Sequence, residues 1–233
     1  MDLPAPVTQG LVATDDLASA AVHAVGLVLV LACGAALWKR AATPLARFCL
    51  RTFCAAWTIT YLSSIAFHLL AGRGGVTEDI ALTLDDGAIF VAIAGTYTPI
   101  ALLALRPADG RLVLMALWCV AAAILTGAAL ASAADVVPWY QPGVLVAGTM
   151  STFGPGLAYC RTLFRRLPRQ SALLLALSGA CYVAGGWFYR DHSWEWHHTL
   201  WHVAVVMGSL LDFAAIAALL RAPRRDGEIG FVS

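Results

Sequence analysis

Long apolar runs separated by short polar connections dominate the hydrophobicity pattern of this chain. Seven runs approach or exceed the roughly 20 apolar residues that a helix needs to cross a bilayer. They cover about residues 18–38, 46–70, 81–105, 111–131, 143–162, 171–189 and 197–220. Each is expected to be a helix, because a lipid-exposed strand would leave its backbone polar groups unpaired. The pattern predicts an all-α polytopic membrane protein, with seven transmembrane helices in a single domain that covers residues 1–233.

The composition agrees with a membrane protein and removes other classes. The 233 residues are 60% hydrophobic and only 12% charged, which excludes an ordinary soluble domain. The formal net charge is +1 and no basic patch is interleaved with aromatic residues, so no nucleic-acid partner is predicted. The six cysteines fall within the apolar runs and form no C-x-x-C pair, which favours packing residues over a disulfide framework.

The distribution of positive charge predicts an orientation in the membrane. Thirteen of the 15 Lys and Arg residues lie beside the first, third and fifth connections or after the last run. The other side has only Arg73 and Arg190. The positive-inside rule therefore predicts the N-terminus outside and the C-terminus in the cytoplasm. With this topology the second run ends, and the third and seventh runs begin, in the outer half of the bilayer.

Three histidines lie at this outer end. His68 is near the end of the second run, and His198 and His202 are four residues apart at the start of the seventh, so they share one helix face. Ionisable residues within a membrane are costly and are a functional hypothesis by default. Three imidazoles at matched depth are the donors of a zinc site that keeps one coordination position open. The sequence therefore predicts that these histidines bind Zn²⁺.

Two more polar residues are expected beside the histidines. Ser64 lies one turn before His68 on the same helix face, and Asp85 lies near the start of the third run. Asp85 could be a fourth ligand, a partner of a ligand, or the general base for a zinc-bound water. Ser64 could donate a hydrogen bond to that water or to an oxyanion. The structural alternatives are a helix-capping aspartate and a serine bonded to the carbonyl four residues earlier.

Four further residues are candidates for the walls of a cavity. Asp86 points about 100° away from its neighbour on a helix. Asp212 falls near mid-bilayer, where a proton relay, a substrate cavity and a structural hydrogen bond are the alternatives. His23 opens the first run, either at the cavity mouth or as a satisfied interfacial histidine. Tyr97 precedes Pro99, which is expected to kink the third helix.

The chain resembles the hemolysin III branch of the progestin-and-adipoQ-receptor group, within the superfamily that includes alkaline ceramidases. The resemblance covers nearly the whole chain. It is carried by His23-Ala-Val-Gly26, Ser64-x-x-x-His68, Leu84-Asp85 with Ala88-Ile89-Phe90, Ala94-Gly95-Thr96-Tyr97-Thr98-Pro99, and His198-x-x-x-His202 with Gly208-Ser209. The chain departs from the pattern at Asp86 and Asp212, where many bacterial members carry histidine.

The resemblance implies a seven-helix protein of the bacterial cytoplasmic membrane with zinc near one end of the bundle. It implies His68, His198 and His202 as the ligands, with Asp85 and Ser64 beside the metal-bound water. Relatives in the superfamily include ceramidases, which cleave an amide in a lipid, and receptors with ceramidase-like activity.

Three functions follow from the residues and the resemblance. The first is a zinc-dependent hydrolase of a membrane-lipid amide or ester, with Asp85 and Ser64 as catalytic residues. The second is a receptor-like or membrane-homeostasis protein in which lipid is a ligand and zinc is structural, held by four protein ligands. The third is a transporter or cytolysin-like pore. We rank the hydrolase first, and the transporter last because the sequence has no inverted repeat or pair of broken helices.

Overall fold

In a computed structural model of the protein, the backbone is described for residues 5–133, 161–163 and 165–221, and these residues contain helices and no strand. Residues 161–163 and 165–166 are a short helical stretch. The long helices are α1 (Ala5–Trp38), α2 (Pro44–Leu70), α3 (Val76–Ala104), α4 (Pro107–Ala133), α5 (Arg169–Arg190) and α6 (His197–Arg221).

All six long helices are long and apolar enough to cross a membrane. They confirm the all-α class and six of the predicted spans, and they identify an integral membrane protein. The predicted fifth span, 143–162, lies outside the described residues except at its last two positions. Five of the six long helices begin earlier than the apolar runs indicated, α1 and α3 by the most. α3 begins at Val76 rather than near 81, because its first turn contains Glu78 and Asp79, acidic residues that stabilise a helix N-terminus without being apolar.

The helices pack as a bundle in which α1 contacts both α2 and α6. α2 also packs on α3, α3 on α4, and α5 on α6. One buried apolar cluster lies mainly between α1, α2 and α6, and a second joins α3 and α4 to the segment before α5. The largest members of the first are Phe53, Trp57, Tyr61 and Phe213, and those of the second include Phe90, Ile100, Leu105 and Leu117. α2 and α6 are the helices that carry the predicted ligands. Because α1 lies against both, it connects them.

A tight connection brings the end of α2 next to the start of α3. Gly72, Gly74 and Gly75 all have positive φ, at 77°, 72° and 86°, a conformation that glycine adopts without strain. The Glu78 carboxylate accepts hydrogen bonds from the backbone N–H groups of Gly72, at 3.1 Å, and Gly74, at 2.5 Å. This loop places the last turn of α2, which contains His68, at the same end of the bundle as the first turns of α3.

α3 runs unbroken through Pro99 from Val76 to Ala104. It approaches α2 closely at Gly95, where an added Cβ would overlap the Cβ of Ala56. A residue without a side chain lets two membrane helices come this close. Trp57 follows Ala56 on α2, and its indole N–H donates a hydrogen bond of 3.1 Å to Oγ1 of Thr96, the residue after Gly95 on α3.

Candidate metal centre

The three predicted histidine ligands come together at one end of the bundle. His68 lies in the last turn of α2, and His198 and His202 lie in the first two turns of α6. Their ring centroids are 5.0 Å apart for His68 and His198, 4.8 Å for His68 and His202, and 4.6 Å for His198 and His202. One nitrogen from each ring lies within 4.8 Å of the other two. The group could therefore hold a metal ion.

The hydrogen bonding of the group leaves nitrogen atoms for a ligand. His68 and His202 are buried, and their Nε2 atoms are 2.8 Å apart. His198 Nε2 and His202 Nδ1 are also buried, and neither has a hydrogen-bond partner among the described residues. Buried polar atoms in folded proteins are nearly always satisfied. Unpartnered imidazole nitrogens on α6, beside the His68 ring from α2, fit a bound metal ion, and nitrogen donors of this kind suit zinc.

His23 of α1 extends the group toward the interior of the bundle. Its ring lies 4.1 Å from that of His202 and 5.0 Å from that of Tyr61, measured between centroids. The side chain is buried, and neither of its nitrogens has a hydrogen-bond partner in the part of the chain that the structure describes. His23 therefore lies buried beside the three candidate ligands.

Ser64 and Asp85 lie beside each other, on α2 and α3. Ser64 is fully buried on the face of α2 that carries His68, and Asp85 is partly buried on α3. The two side chains are close enough to interact electrostatically. Ser64 Oγ is buried and meets no described atom within strict hydrogen-bond geometry, and Asp85 is its polar neighbour. The histidine group contains no carboxylate, and Asp85 stands outside it.

Two of the remaining predicted residues, Asp212 and Tyr97, make contacts elsewhere in the bundle. Asp212 is 2% exposed in α6, and its Oδ2 accepts a 2.8 Å hydrogen bond from the hydroxyl of Tyr182 on α5. This contact matches the structural hydrogen bond that was one alternative for Asp212. Tyr97 packs against the apolar cluster between α3 and α4. Asp86 is partly buried on α3.

The structure adds two acidic residues that the sequence interpretation missed. Asp16 Oδ1 lies 2.9 Å from His68 Nδ1. Asp15 Oδ1 accepts hydrogen bonds from the backbone N–H of Thr199, at 3.2 Å, and from its hydroxyl. The signal in the sequence was a pair of carboxylates directly before the first apolar run, at the depth predicted for the histidines. This pair did not point to the site, because no local feature of the sequence indicates that α1 packs against both α2 and α6.

The chain is similar to known proteins over most of its length. The chain matches the family described as Haemolysin-III related over residues 12–213. It is 30% identical over 158 residues to a Hemolysin-3 homolog from Bacillus subtilis (strain 168), which covers 68% of this chain and 70% of the relative. It is 27% identical over 158 residues to Hemolysin-3 from Bacillus cereus, which covers 68% of each chain. The family match includes most of α1, all of α2 and α3, and all three histidines.

Proposed function

Because this chain belongs to the haemolysin-III-related family and its three histidines converge at one end of a membrane bundle, we propose that it is a zinc-dependent hydrolase of a membrane-lipid amide or ester. The observation that carries the proposal is the composition of the group. It has three imidazoles and no carboxylate among the described residues. Three protein ligands are typical of catalytic zinc, which keeps a position open, whereas structural zinc has four.

Hydrolysis of an amide or ester by this route needs a metal ion, a proton acceptor and a hydrogen-bond donor for the oxyanion. When bound, zinc would polarise a carbonyl oxygen and lower the pKa of a coordinated water toward about 7. His68, His198 and His202 would hold the ion. Two of the three are buried, and a site screened from bulk water strengthens every electrostatic interaction within it.

Asp85 would move the proton. Attack of a water oxygen on the lipid carbonyl carbon releases one proton, which the Asp85 carboxylate accepts. The same carboxyl then gives the proton to the leaving nitrogen or oxygen as the carbon–nitrogen or carbon–oxygen bond breaks. The products are a fatty acid and an amine or alcohol. Ser64 would stabilise the negative charge that develops on the carbonyl oxygen, since its hydroxyl is buried beside Asp85 and can donate a hydrogen bond.

The excess of Lys and Arg at the opposite end supports a site on the outer side of a bacterial cytoplasmic membrane. A lipid substrate would then reach the histidines from the outer leaflet. Reaction of a membrane-impermeant thiol reagent with a single cysteine introduced at Arg73, in a variant without native cysteines, would test this orientation in intact cells. Labelling only after the cells are opened would contradict it.

The first experiment measures the metal content of the detergent-purified protein by elemental mass spectrometry. We expect about one zinc per chain in the wild type and little in His202→Ala. The second follows fatty-acid release from a panel of ceramides, amides and esters. Asp85→Ala should retain zinc and lose turnover, while Asp79→Ala, a change at an exposed acid on the same helix, should retain both.

Three outcomes separate the proposal from its alternatives. Zinc with turnover that depends on Asp85 supports the hydrolase. Zinc with no turnover of any lipid in the panel contradicts it and favours the receptor-like function with structural zinc. No metal in the wild type contradicts both zinc-based functions.

A further inference from the structure

Two consecutive carboxylates in α1 contact the two helices that carry the histidines. Asp16 reaches α2, where its Oδ1 lies 2.9 Å from His68 Nδ1. Asp15 reaches α6, where its Oδ1 accepts the 3.2 Å hydrogen bond from Thr199 N, and its backbone oxygen accepts a second 3.2 Å bond from Thr199 Oγ1. Thr199 directly follows His198. One turn of α1 therefore connects His68 with the segment that bears the other ligands.

The contact with Asp16 selects one form of the His68 ring. A neutral imidazole has one nitrogen that donates and one that accepts, and an ionised carboxylate only accepts. The proton must therefore be on Nδ1, which leaves the lone pair on Nε2. Nε2 is the atom that faces the group, 2.8 Å from His202 Nε2. Metal-binding histidines commonly donate their second N–H in this way, which fixes the ring and raises its basicity as a ligand.

The position of Asp16 suits this task. The His68 side chain is 1% exposed, whereas that of Asp16 is 23% exposed. The His68 ring is thus enclosed by protein, and the Asp16 carboxylate contacts it from a more exposed position. No other carboxylate in the described part of the chain makes a hydrogen bond to any of the three ligand histidines.

Asp15 acts on the other ligand helix. α6 begins at His197, so the N–H of Thr199 is one of the first four in the helix and has no partner within it. A carboxylate at this end also interacts favourably with the helix dipole. Ser19 Oγ lies 3.3 Å from Thr199 Oγ1 and adds a further contact between the helices. The turn that carries His198 is therefore attached to α1.

We propose that Asp16 is a positioning residue of the metal centre, which holds His68 in the tautomer and orientation that direct Nε2 at the ion. Asp15 complements it by fixing the first turn of α6. The inference rests on the metal site of the proposed function and is independent of whether lipid is hydrolysed.

The test compares the zinc affinity of full-length variants in detergent, by competition with a chelating dye. Asp16→Ala should weaken zinc binding about 10–100-fold, the range found when such partners are removed. Asp16→Asn retains an acceptor oxygen without the charge, so its affinity should lie between those of Asp16→Ala and the wild type. Asp79→Ala, which removes an exposed carboxylate at the same end of the bundle, should leave the affinity unchanged.

A second readout separates positioning from a general loss of structure. Cobalt absorption reports the geometry of the ligand set, and it should change in intensity or position in Asp16→Asn and not in Asp79→Ala. In a His68→Ala background, Asp16→Ala should weaken the remaining affinity no further, because its partner is gone. If Asp16→Ala does not fold, Asp16→Asn, which has nearly the same size and shape, still makes the comparison.

The outcomes distinguish this inference from the proposed function. Wild-type affinity and an unchanged cobalt spectrum in both Asp16 variants would overturn the inference and leave the hydrolase intact. Weaker binding in the Asp16 variants of a protein that hydrolyses no lipid would support the inference while the hydrolase fails. A wild type that binds no zinc would overturn both.

Discussion

Two adjacent glycines of α5 have different surroundings, and this difference tests the packing that positions α6. A Cβ added to Gly185 would lie 2.7 Å from Trp201 Cε3 and 2.9 Å from Ala204 Cβ. A Cβ added to Gly186 would meet nothing within 4 Å. Both contacts of Gly185 are on α6, and Trp201 is the residue before His202. Gly185→Ala should therefore push apart α5 and the ligand-bearing helix, and Gly186→Ala should not.

The size of the effect follows from these distances. Carbon atoms pack best about 3.5–4.0 Å apart, so the methyl group would need a displacement of about 0.8 Å. Ala204 Cβ is attached directly to the backbone and cannot rotate away, so the helices themselves must shift. Overpacking of this kind costs about 1–3 kcal/mol. Both variants replace helical Gly by Ala and gain the same helix propensity, so the difference between them isolates the packing cost.

The assay is denaturant-induced unfolding in mixed micelles, followed by circular dichroism. We expect Gly185→Ala to have a free energy of unfolding about 1–3 kcal/mol lower than that of Gly186→Ala. Ala204→Gly should cost less stability in the Gly185→Ala background than in the wild type, because there it also removes one of the two close contacts. Equal stability of the two single variants, within about 0.5 kcal/mol, would refute the α5–α6 packing as described.

Three further predictions concern other contacts. Tyr182→Phe removes the hydroxyl that donates a hydrogen bond to buried Asp212, and it should lower the free energy of unfolding by about 1–3 kcal/mol. Unchanged stability would contradict this hydrogen bond. Gly95→Ala overlaps Ala56 and should cost a similar amount by the same assay; wild-type stability would contradict the close α2–α3 approach. Chelation of zinc present at 100 times its Kd should remove about 2.7 kcal/mol and lower the wild-type Tm by roughly 5–10 °C. His202→Ala should show no such shift.

The apolar runs predicted the helices well because insertion into a bilayer depends mainly on the local sequence. A segment of about 20 apolar residues is stable as a transmembrane helix before it meets its neighbours. The ends were less accurate. The first turn of α3 contains Glu78 and Asp79, whose polarity hides a helix start from a hydropathy pattern even though it stabilises that start.

The histidine group was predictable in part. The i, i+4 spacing of His198 and His202 fixes a shared helix face, and the charge bias indicated that His68 lies at the same end of the bundle. His68 and His202 are 134 positions apart in the chain, and their 2.8 Å contact depends on how α2 and α6 pack. The shared depth of the histidines therefore follows from the order and direction of the helices. The contact between His68 and His202 depends on how α2 and α6 pack.

The sequence by itself determined the class of the protein, the helices, the residue types of the metal site and the end of the bundle where they lie. These properties follow from local hydrophobicity, helical periodicity and the placement of charge. Only the tertiary structure decided that α1 lies against both ligand-bearing helices, that Asp16 contacts His68, and that Asp85 stands outside the histidine group. Side-chain neighbours from distant segments are set by the close packing of helix surfaces, which no short stretch of sequence specifies.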